Sequence, residues 1–242
     1  MNKNKNFSKR IFGNERKYID EVIESGFRAS TSAKMLNSLE TSFAKTFGVD
    51  HAIGFVNGTA TMHASLEAWG IGSGDEVIVP PLTMAATSFA VLQANATPVF
   101  ADVDLKTFQI SSDSIEKNIT TKTKAIITVS LFGLSPDMDK IMSLAKKYEL
   151  KVLEDNAECY LAKYNNKLVG TFGDCASYSF QNSKHITSGE GGMIITNDID
   201  FADKLRKVQS LGYANVSAKS GKITKDTIQD PNYNRHVTLG WN

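Results

Sequence analysis

Two cysteines, an almost balanced charge and the absence of long apolar runs already exclude several classes of protein. Cys159 and Cys175 are too few for a metal-ligand cluster, and in a chain of 242 residues they are typical of reduced, cytosolic thiols. The polar segment 1–6 lacks the apolar stretch of a signal peptide. No apolar run approaches the roughly eighteen residues of a membrane span. A formal net charge of +1 gives no reason to expect nucleic acid or an anionic membrane as a partner. We therefore expect a cytoplasmic protein.

A dinucleotide-binding fingerprint is also missing. No Gly-x-Gly-x-x-Gly follows the first predicted strand, and the glycines of segment 70–74 precede a strand rather than a helix. Hydrophobic residues make up 41% and charged residues 22% of the chain, which is ordinary for a globular protein. The length suits one large α/β domain, alone or with a small appendage.

Strand patterns alternate with helix patterns along the chain. We predict strands at 52–56, 76–79, 98–102, 125–129, 152–154, 175–180 and 192–196. Helices are predicted at 14–25 and 33–47, after segment 57–59 to about residue 69, near 84–95, 112–118 and 136–148, and at 200–210. Ser135 is the predicted N-cap of the helix at 136–148, with Pro136 in its first position. Residues 214–232 are polar and aperiodic, which predicts a long surface loop. The alternation favours right-handed βαβ units, so the predicted fold class is a three-layer α/β/α domain with a mainly parallel sheet.

Three features stand near the carboxyl ends of predicted strands, where ligands bind in such sheets. The segment Asn57-Gly58-Thr59 lies between a strand and a helix, where free N–H groups and the helix dipole suit a phosphate. It also suits a simple turn with Thr59 as N-cap. Asp155 follows an apolar strand and is equally a candidate helix cap. Lys184, taken alone, is most simply a surface lysine. Only the order and spacing of the three features favour a functional site.

A lysine and an aspartate in this arrangement indicate one particular chemistry. A lysine amine can hold an aldehyde cofactor as a Schiff base. An aspartate at the end of a buried strand can keep a pyridine nitrogen protonated. Lys184 and Asp155 are therefore what a protein must supply to pyridoxal 5′-phosphate.

Eight motifs, spread over nearly the whole chain, support the interpretation of Lys184 and Asp155 as cofactor-binding residues. They lie at residues 56–61, 72–80, 97–104, 121–127, 132–133, 137–138, 153–158 and 179–192. The most specific runs from Ser179-Phe180 through Lys184 to Gly191-Gly192. From about residue 26 to residue 242 the sequence resembles the DegT-type nucleotide-sugar aminotransferases, members of the fold-type-I pyridoxal-phosphate enzymes.

The resemblance implies a role for each matching position. Lys184 would carry the cofactor and act as the base that moves a proton. Asp155 would pair with the pyridinium nitrogen, and Gly58, Thr59 and Ser179 would hold the phosphate.

Two further positions depart from the usual family pattern. Glu158 would lie near the phenolic oxygen of the ring, where glutamine is common. Met84 stands where many members have an aromatic residue, so a thioether would cover the ring. Ordinary helix packing is the alternative for Met84.

The carboxyl end is the largest departure. Segment 235–242 resembles the family sequence that leads into Asn-Tyr-Arg, and it stops at Asn242. In the family this asparagine reaches the partner's phosphate across a dimer, and a small domain follows. The resemblance therefore implies a homodimer and three parts: a helical segment at 1–25, a cofactor-binding large domain at 26–212, and the start of a truncated region at 213–242.

The implied reaction is transamination, in which glutamate donates the amine and a nucleotide-linked keto sugar accepts it. A related branch of the family comprises dehydratases that carry histidine in place of the lysine. His185 would take that position only if the alignment slipped by one residue. A fragment that keeps the fold without catalysis is the alternative from a different class.

Overall fold

The computed structural model describes residues 13–26, 34–212 and 237–240. Their helices and strands follow in this order: α1 (Glu15–Glu24), α2 (Lys34–Phe47), β1 (His51–Phe55), α3 (Gly58–Trp69), β2 (Glu76–Val79), α4 (Ala85–Gln93), β3 (Thr97–Phe100), α5 (Ser112–Asn118), β4 (Thr123–Val129), α6 (Met138–Tyr148), β5 (Lys151–Asp155), β6 (Lys163–Tyr164), β7 (Lys167–Leu168), β8 (Cys175–Ser179), β9 (Gly192–Thr196) and α7 (Ile199–Gln209). No helix in these parts of the chain has the length and apolar character needed to cross a membrane.

Seven strands form one sheet in the order β1-β9-β8-β5-β4-β2-β3. Strands β3, β2, β4, β5 and β8 pair in parallel. Strand β9 runs antiparallel to both of its neighbours, so β1 points the same way as the other five. The predicted mainly parallel sheet is confirmed. Six strands therefore end at one edge of the sheet, which we call the carboxyl edge.

Helices cover both faces of the sheet. Alternate residues of a strand point to opposite faces. Ile127 and Leu153 accordingly belong to the core under α3, α4 and α7, whereas Ile126 and Val152 belong to the core under α5 and α6. On this second face α2 adds Phe43 and Phe47, whose stacked rings lie 4.8 Å apart. The predicted three-layer architecture is confirmed.

One predicted helix cap, Ser135, and one alternative cap, Thr59, are wrong. Helix α6 begins at Met138, because the Asp137 carboxylate accepts the Lys140 N–H at 3.3 Å. The hydroxyl of Ser135, the predicted cap, instead donates to the Pro136 carbonyl. Thr59 is likewise not the cap of α3, because the Asn57 side chain accepts the Ala60 N–H at 2.8 Å.

Other sequence predictions shift by a few residues at element ends or lie outside the described chain. The short hairpin β6–β7 was not predicted. The predicted loop at 214–232 and the proposed cofactor ligand Asn242 lie outside the described residues. The division at residues 25 and 212 stays a prediction.

Candidate active site

A cavity of about 470 Å³ opens at the carboxyl edge. Its walls come from the segments that follow β1, β2, β4, β5 and β8, since these strands end side by side. It brings together every predicted site residue that the structure describes, namely Gly58, Thr59, Met84, Asp155, Glu158, Ser179 and Lys184.

One wall of the cavity is the amino end of α3. The first N–H groups of a helix have no carbonyl partner within it, and the helix dipole adds positive potential there. A Cβ on Gly58 would lie 2.9 Å from the Ser179 Cβ, so any larger residue would collide with the neighbouring strand end. Glycine therefore lets the amino end of α3 pack closely against Ser179. Gly58, Thr59 and Ser179 all line the cavity, where the free N–H groups of the helix suit an anion.

A buried carboxylate forms another part of the wall. Asp155 ends β5 and is 5% exposed. Its Oδ1 accepts the Ala157 N–H at 3.1 Å, and its Oδ2 accepts the Thr87 hydroxyl at 3.0 Å. Burial raises the pKa of Asp155, while these two donors and the nearby charge of Lys184 act in the lowering direction. The carboxyl therefore has one fixed donor on each oxygen.

Glu154, the residue before Asp155, holds the end of β5 from the opposite face of the sheet. Glu154 is fully buried and accepts three backbone N–H groups at 2.7 Å, from Gly170, Phe172 and Gly173. Burial raises the pKa of Glu154, and the three N–H donors oppose that shift. Because alternate residues point to opposite faces, Glu154 anchors the loop at 170–173 and leaves Asp155 facing the cavity.

Lys184 is presented by a tightly closed turn between β8 and β9. Its N–H donates to the Gln181 carbonyl at 2.9 Å, and the Ser188 N–H donates to the Phe180 carbonyl at 3.0 Å. The Lys184 Nζ lies 3.3 Å from Oε1 of Glu158. The lysine side chain is only 16% exposed. The Lys184 amine thus shares one cavity with three carboxylates, those of Asp155, Glu158 and Glu190.

The neighbouring histidine occupies a different environment. The ring of His185 lies beside Tyr160, with centroids 6.0 Å apart. The Tyr160 hydroxyl donates to the Ser179 carbonyl, so this aromatic pair packs beside the end of β8. Lys184, rather than His185, lines the cavity.

Met84 lies in the cavity wall and is 65% exposed. Such an exposed side chain does not fill a core gap, so the helix-packing alternative does not describe it. Its thioether is available to a ligand.

Sequence reasoning missed two threonines near Asp155. Thr83 lines the cavity, and Thr87 connects it to the buried carboxylate. The one available signal was the four-residue spacing between Thr83, just before α4, and Thr87, in its first turn.

Comparison with known proteins agrees with this geometry. The sequence profile of the DegT/DnrJ/EryC1/StrS aminotransferase family matches residues 9–237. The chain is 45% identical over 203 residues to the GDP-perosamine synthase of Caulobacter vibrioides, covering 84% of this chain and 54% of that relative. The chain therefore spans about half the length of the curated relatives it matches.

Two solved structures of similar enzymes share the fold of this chain. An aminotransferase from Psychrobacter cryohalolentis superposes with a TM-score of 0.84 at 35% identity, covering 96% of this chain and 58% of that one. The Escherichia coli GDP-4-keto-6-deoxy-D-mannose-3-dehydratase with bound hydrated PLP gives a TM-score of 0.85 at 30% identity, covering 97% and 62%.

Proposed function

The chain belongs to the DegT/DnrJ/EryC1/StrS aminotransferase family, and on that premise we propose that it forms the catalytic large domain of a nucleotide-sugar aminotransferase. Its cofactor is pyridoxal 5′-phosphate, its amino donor is glutamate, and its acceptor is a keto sugar linked to a nucleoside diphosphate. One observation carries the proposal: the Lys184 amine, the Asp155 carboxylate and the amino end of α3 all border the same cavity.

The residues present fit this cofactor. The amino end of α3 at Gly58 and Thr59 packs beside Ser179 and lines the cavity, where its free N–H groups suit the phosphate. The Asp155 carboxyl faces the cavity from a buried strand end, where a cationic ring nitrogen would offset its burial. When bound, pyridoxal phosphate supplies an electron sink for carbon–nitrogen chemistry.

The protein's own groups supply attachment and proton movement. Lys184 would be the attachment point for the aldehyde, and its Nζ would move a proton at the substrate carbon that carries nitrogen. Glu158 accepts a hydrogen bond from this amine at 3.3 Å and so keeps it near the cavity wall. Asp155 would supply the negative charge that keeps the ring nitrogen of a bound cofactor protonated. Met84 would cover the ring with its thioether.

The placement of Lys184 favours transamination over dehydration. The dehydratase alternative requires a histidine at the reactive position. His185 lies instead against Tyr160, with ring centroids 6.0 Å apart. The similarity to a GDP-perosamine synthase, at 45% identity, agrees with an acceptor that is a nucleotide-linked sugar.

We further propose that the site is shared between two copies of the chain. Five large apolar side chains are exposed near the carboxyl edge: Leu82, Met84, Phe108, Phe132 and Leu134. The Gln109 side chain bonds both backbone groups of Leu131, which brings the segments carrying Phe108 and Phe132 together. Clustered exposed apolar groups are typical of interfaces. Asn242, which the resemblance also implies at this interface, lies outside the described residues.

The cytoplasmic location stays part of the proposal. Cys159 and Cys175 are free and buried, which suits a protein that needs no disulfide.

Adding pyridoxal 5′-phosphate and then glutamate to the full chain tests the proposed function. The proposal predicts a visible chromophore that glutamate bleaches while 2-oxoglutarate is released in equal amount. A protein that stays colourless would support the alternative of a fold-retaining fragment without catalysis. A chromophore that glutamate leaves unchanged would contradict the assigned amino donor.

A further inference from the structure

A short chain of hydroxyl groups connects the cavity to Asp155. Thr83 Oγ1 lies 2.9 Å from Thr87 Oγ1, and Thr87 Oγ1 lies 3.0 Å from Oδ2 of Asp155. Thr83 lines the cavity, whereas Thr87 is completely buried in the first turn of α4. The bond from Thr87 to Asp155 bridges two elements 68 residues apart in sequence.

The chemistry of these groups fixes the direction of the chain. An ionised carboxylate only accepts hydrogen bonds, so the single proton of the Thr87 hydroxyl must point to Asp155. The Thr83 hydroxyl must then donate to Thr87. Each hydroxyl is thereby ordered by the next, and the sequence of donors ends on the carboxylate.

Thr87 does not follow the usual habit of a threonine within a helix. Such hydroxyls commonly bond the carbonyl one turn earlier. The Thr87 hydroxyl is instead directed across to β5, while the Thr87 N–H donates to the Met84 carbonyl at 3.1 Å. The side chain is therefore committed to the carboxylate rather than to its own helix.

We propose that Thr87 is a positioning residue for the reaction: its hydroxyl, oriented by Thr83, holds the Asp155 carboxylate ionised and in a single orientation at the cavity wall. The Ala157 N–H fixes the other oxygen, so the plane of the carboxylate is determined. This inference rests on the proposed function for its catalytic meaning.

The other charged groups around Asp155 do not replace this donor. Lys184 lowers the pKa of Asp155 through its charge, and Glu158 raises it. Tyr160 carries no charge near neutrality, because burial raises its own pKa. Glu154 lies on the opposite face of β5. Among the described residues, the side chain that donates a hydrogen bond to Asp155 is that of Thr87.

Thermal melting of the full chain without cofactor tests the Thr87–Asp155 link directly. Thr87→Val keeps the shape and removes the donor. The melting temperature of the variant should fall below that of wild type by a margin that widens as pH rises above the ordinary pKa of an aspartate. The margin widens with pH because burial raises the pKa of Asp155 in the folded protein. As pH rises, this carboxyl must ionise inside the fold, and the variant has lost a donor that stabilises the ionised form. Below the ordinary pKa of an aspartate the margin should be smallest.

Three controls separate this role from a merely structural one. Thr87→Ser keeps the hydroxyl and should restore the wild-type pH dependence. Thr128→Val removes an equally buried hydroxyl that has no hydrogen-bond partner among the described residues, and its effect should not vary with pH. In an Asp155→Asn background, Thr87→Val should also have an effect independent of pH. A constant margin for Thr87→Val across the pH range would overturn the proposal.

The catalytic meaning has a separate readout. Thr87→Val should slow the reaction with glutamate roughly tenfold, because one hydrogen bond to a charged group is lost. The KM for glutamate should stay nearly unchanged. An unchanged rate together with a pH-dependent melting margin would show that Thr87 orders Asp155 without serving the reaction. If wild type binds no pyridoxal phosphate, the proposed function fails, while the melting experiment still decides on the link itself.

Discussion

Lys184 and Glu158 form an ion pair inside the candidate site, with Nζ and Oε1 3.3 Å apart. Both side chains retain some contact with solvent, at 16% and 29% exposure. Partly exposed pairs contribute at most about 1 kcal/mol, so this contact orients the lysine rather than stabilising the fold.

A neutral amide at position 158 should therefore preserve function. Glu158→Gln keeps an oxygen that can accept from Lys184, and glutamine is common here in the family that the sequence resembles. We expect turnover within roughly threefold of wild type, since only the partly screened charge is lost. Steady-state kinetics checks this. A hundredfold loss would mean that the carboxylate itself transfers a proton.

Asp155→Asn tests the charge at the buried strand end. The amide keeps the size of the side chain, and its oxygen can still accept from Ala157 or Thr87. Cofactor should still bind, but the rate of the glutamate reaction should fall by roughly a hundredfold or more, because a preorganised charge is lost. Single-turnover bleaching of the chromophore measures this rate. Near-normal bleaching would exclude the assigned role of Asp155.

Glu154 should matter for stability rather than for chemistry. In Glu154→Gln an amide N–H₂ must face at least one of the backbone donors at Gly170, Phe172 and Gly173, which now contact carboxylate oxygens at 2.7 Å. Leaving one such donor unpaired costs about 1–3 kcal/mol of unfolding free energy. Urea denaturation measures the loss, with Glu158→Gln as the matched control on a partly exposed carboxylate. Equal stability of the two variants would contradict the anchoring role.

Assembly should couple to cofactor binding. If two chains share the site, the affinity for pyridoxal 5′-phosphate should rise with protein concentration as the dimer forms. Analytical ultracentrifugation alongside a cofactor titration tests this. Phe132→Ser, which replaces a side chain 80% exposed near the carboxyl edge, should weaken both association and affinity. A strictly monomeric protein that binds the cofactor tightly would show that each site is complete within one chain.

The sequence predicted the layers, and which residues meet at the carboxyl edge, better than it predicted the helix caps. Alternating strands and helices determine which strand ends meet, so the positions of Asp155 and Lys184 followed from pattern and spacing. The caps were less predictable, because Ser135 and Asp137 can both accept a first-turn N–H and only the local backbone decides between them.

The long-range side-chain contacts could not be predicted from the sequence. The Thr87 hydroxyl meets Asp155 across 68 positions, and the Glu154 carboxylate collects three N–H groups from a loop without regular structure. Such contacts depend on how the sheet and its loops pack. Neither spacing nor periodicity encodes them.

The central claim, that Lys184 carries the cofactor, is tested most directly by reducing the cofactor-loaded chain with sodium borohydride and mapping the modified peptide by mass spectrometry. We predict a single pyridoxyl adduct on Lys184, and none in Lys184→Ala, which should also lack turnover while His185 remains in place. An adduct on another lysine of the wild-type chain, or one that persists in Lys184→Ala, would contradict the account.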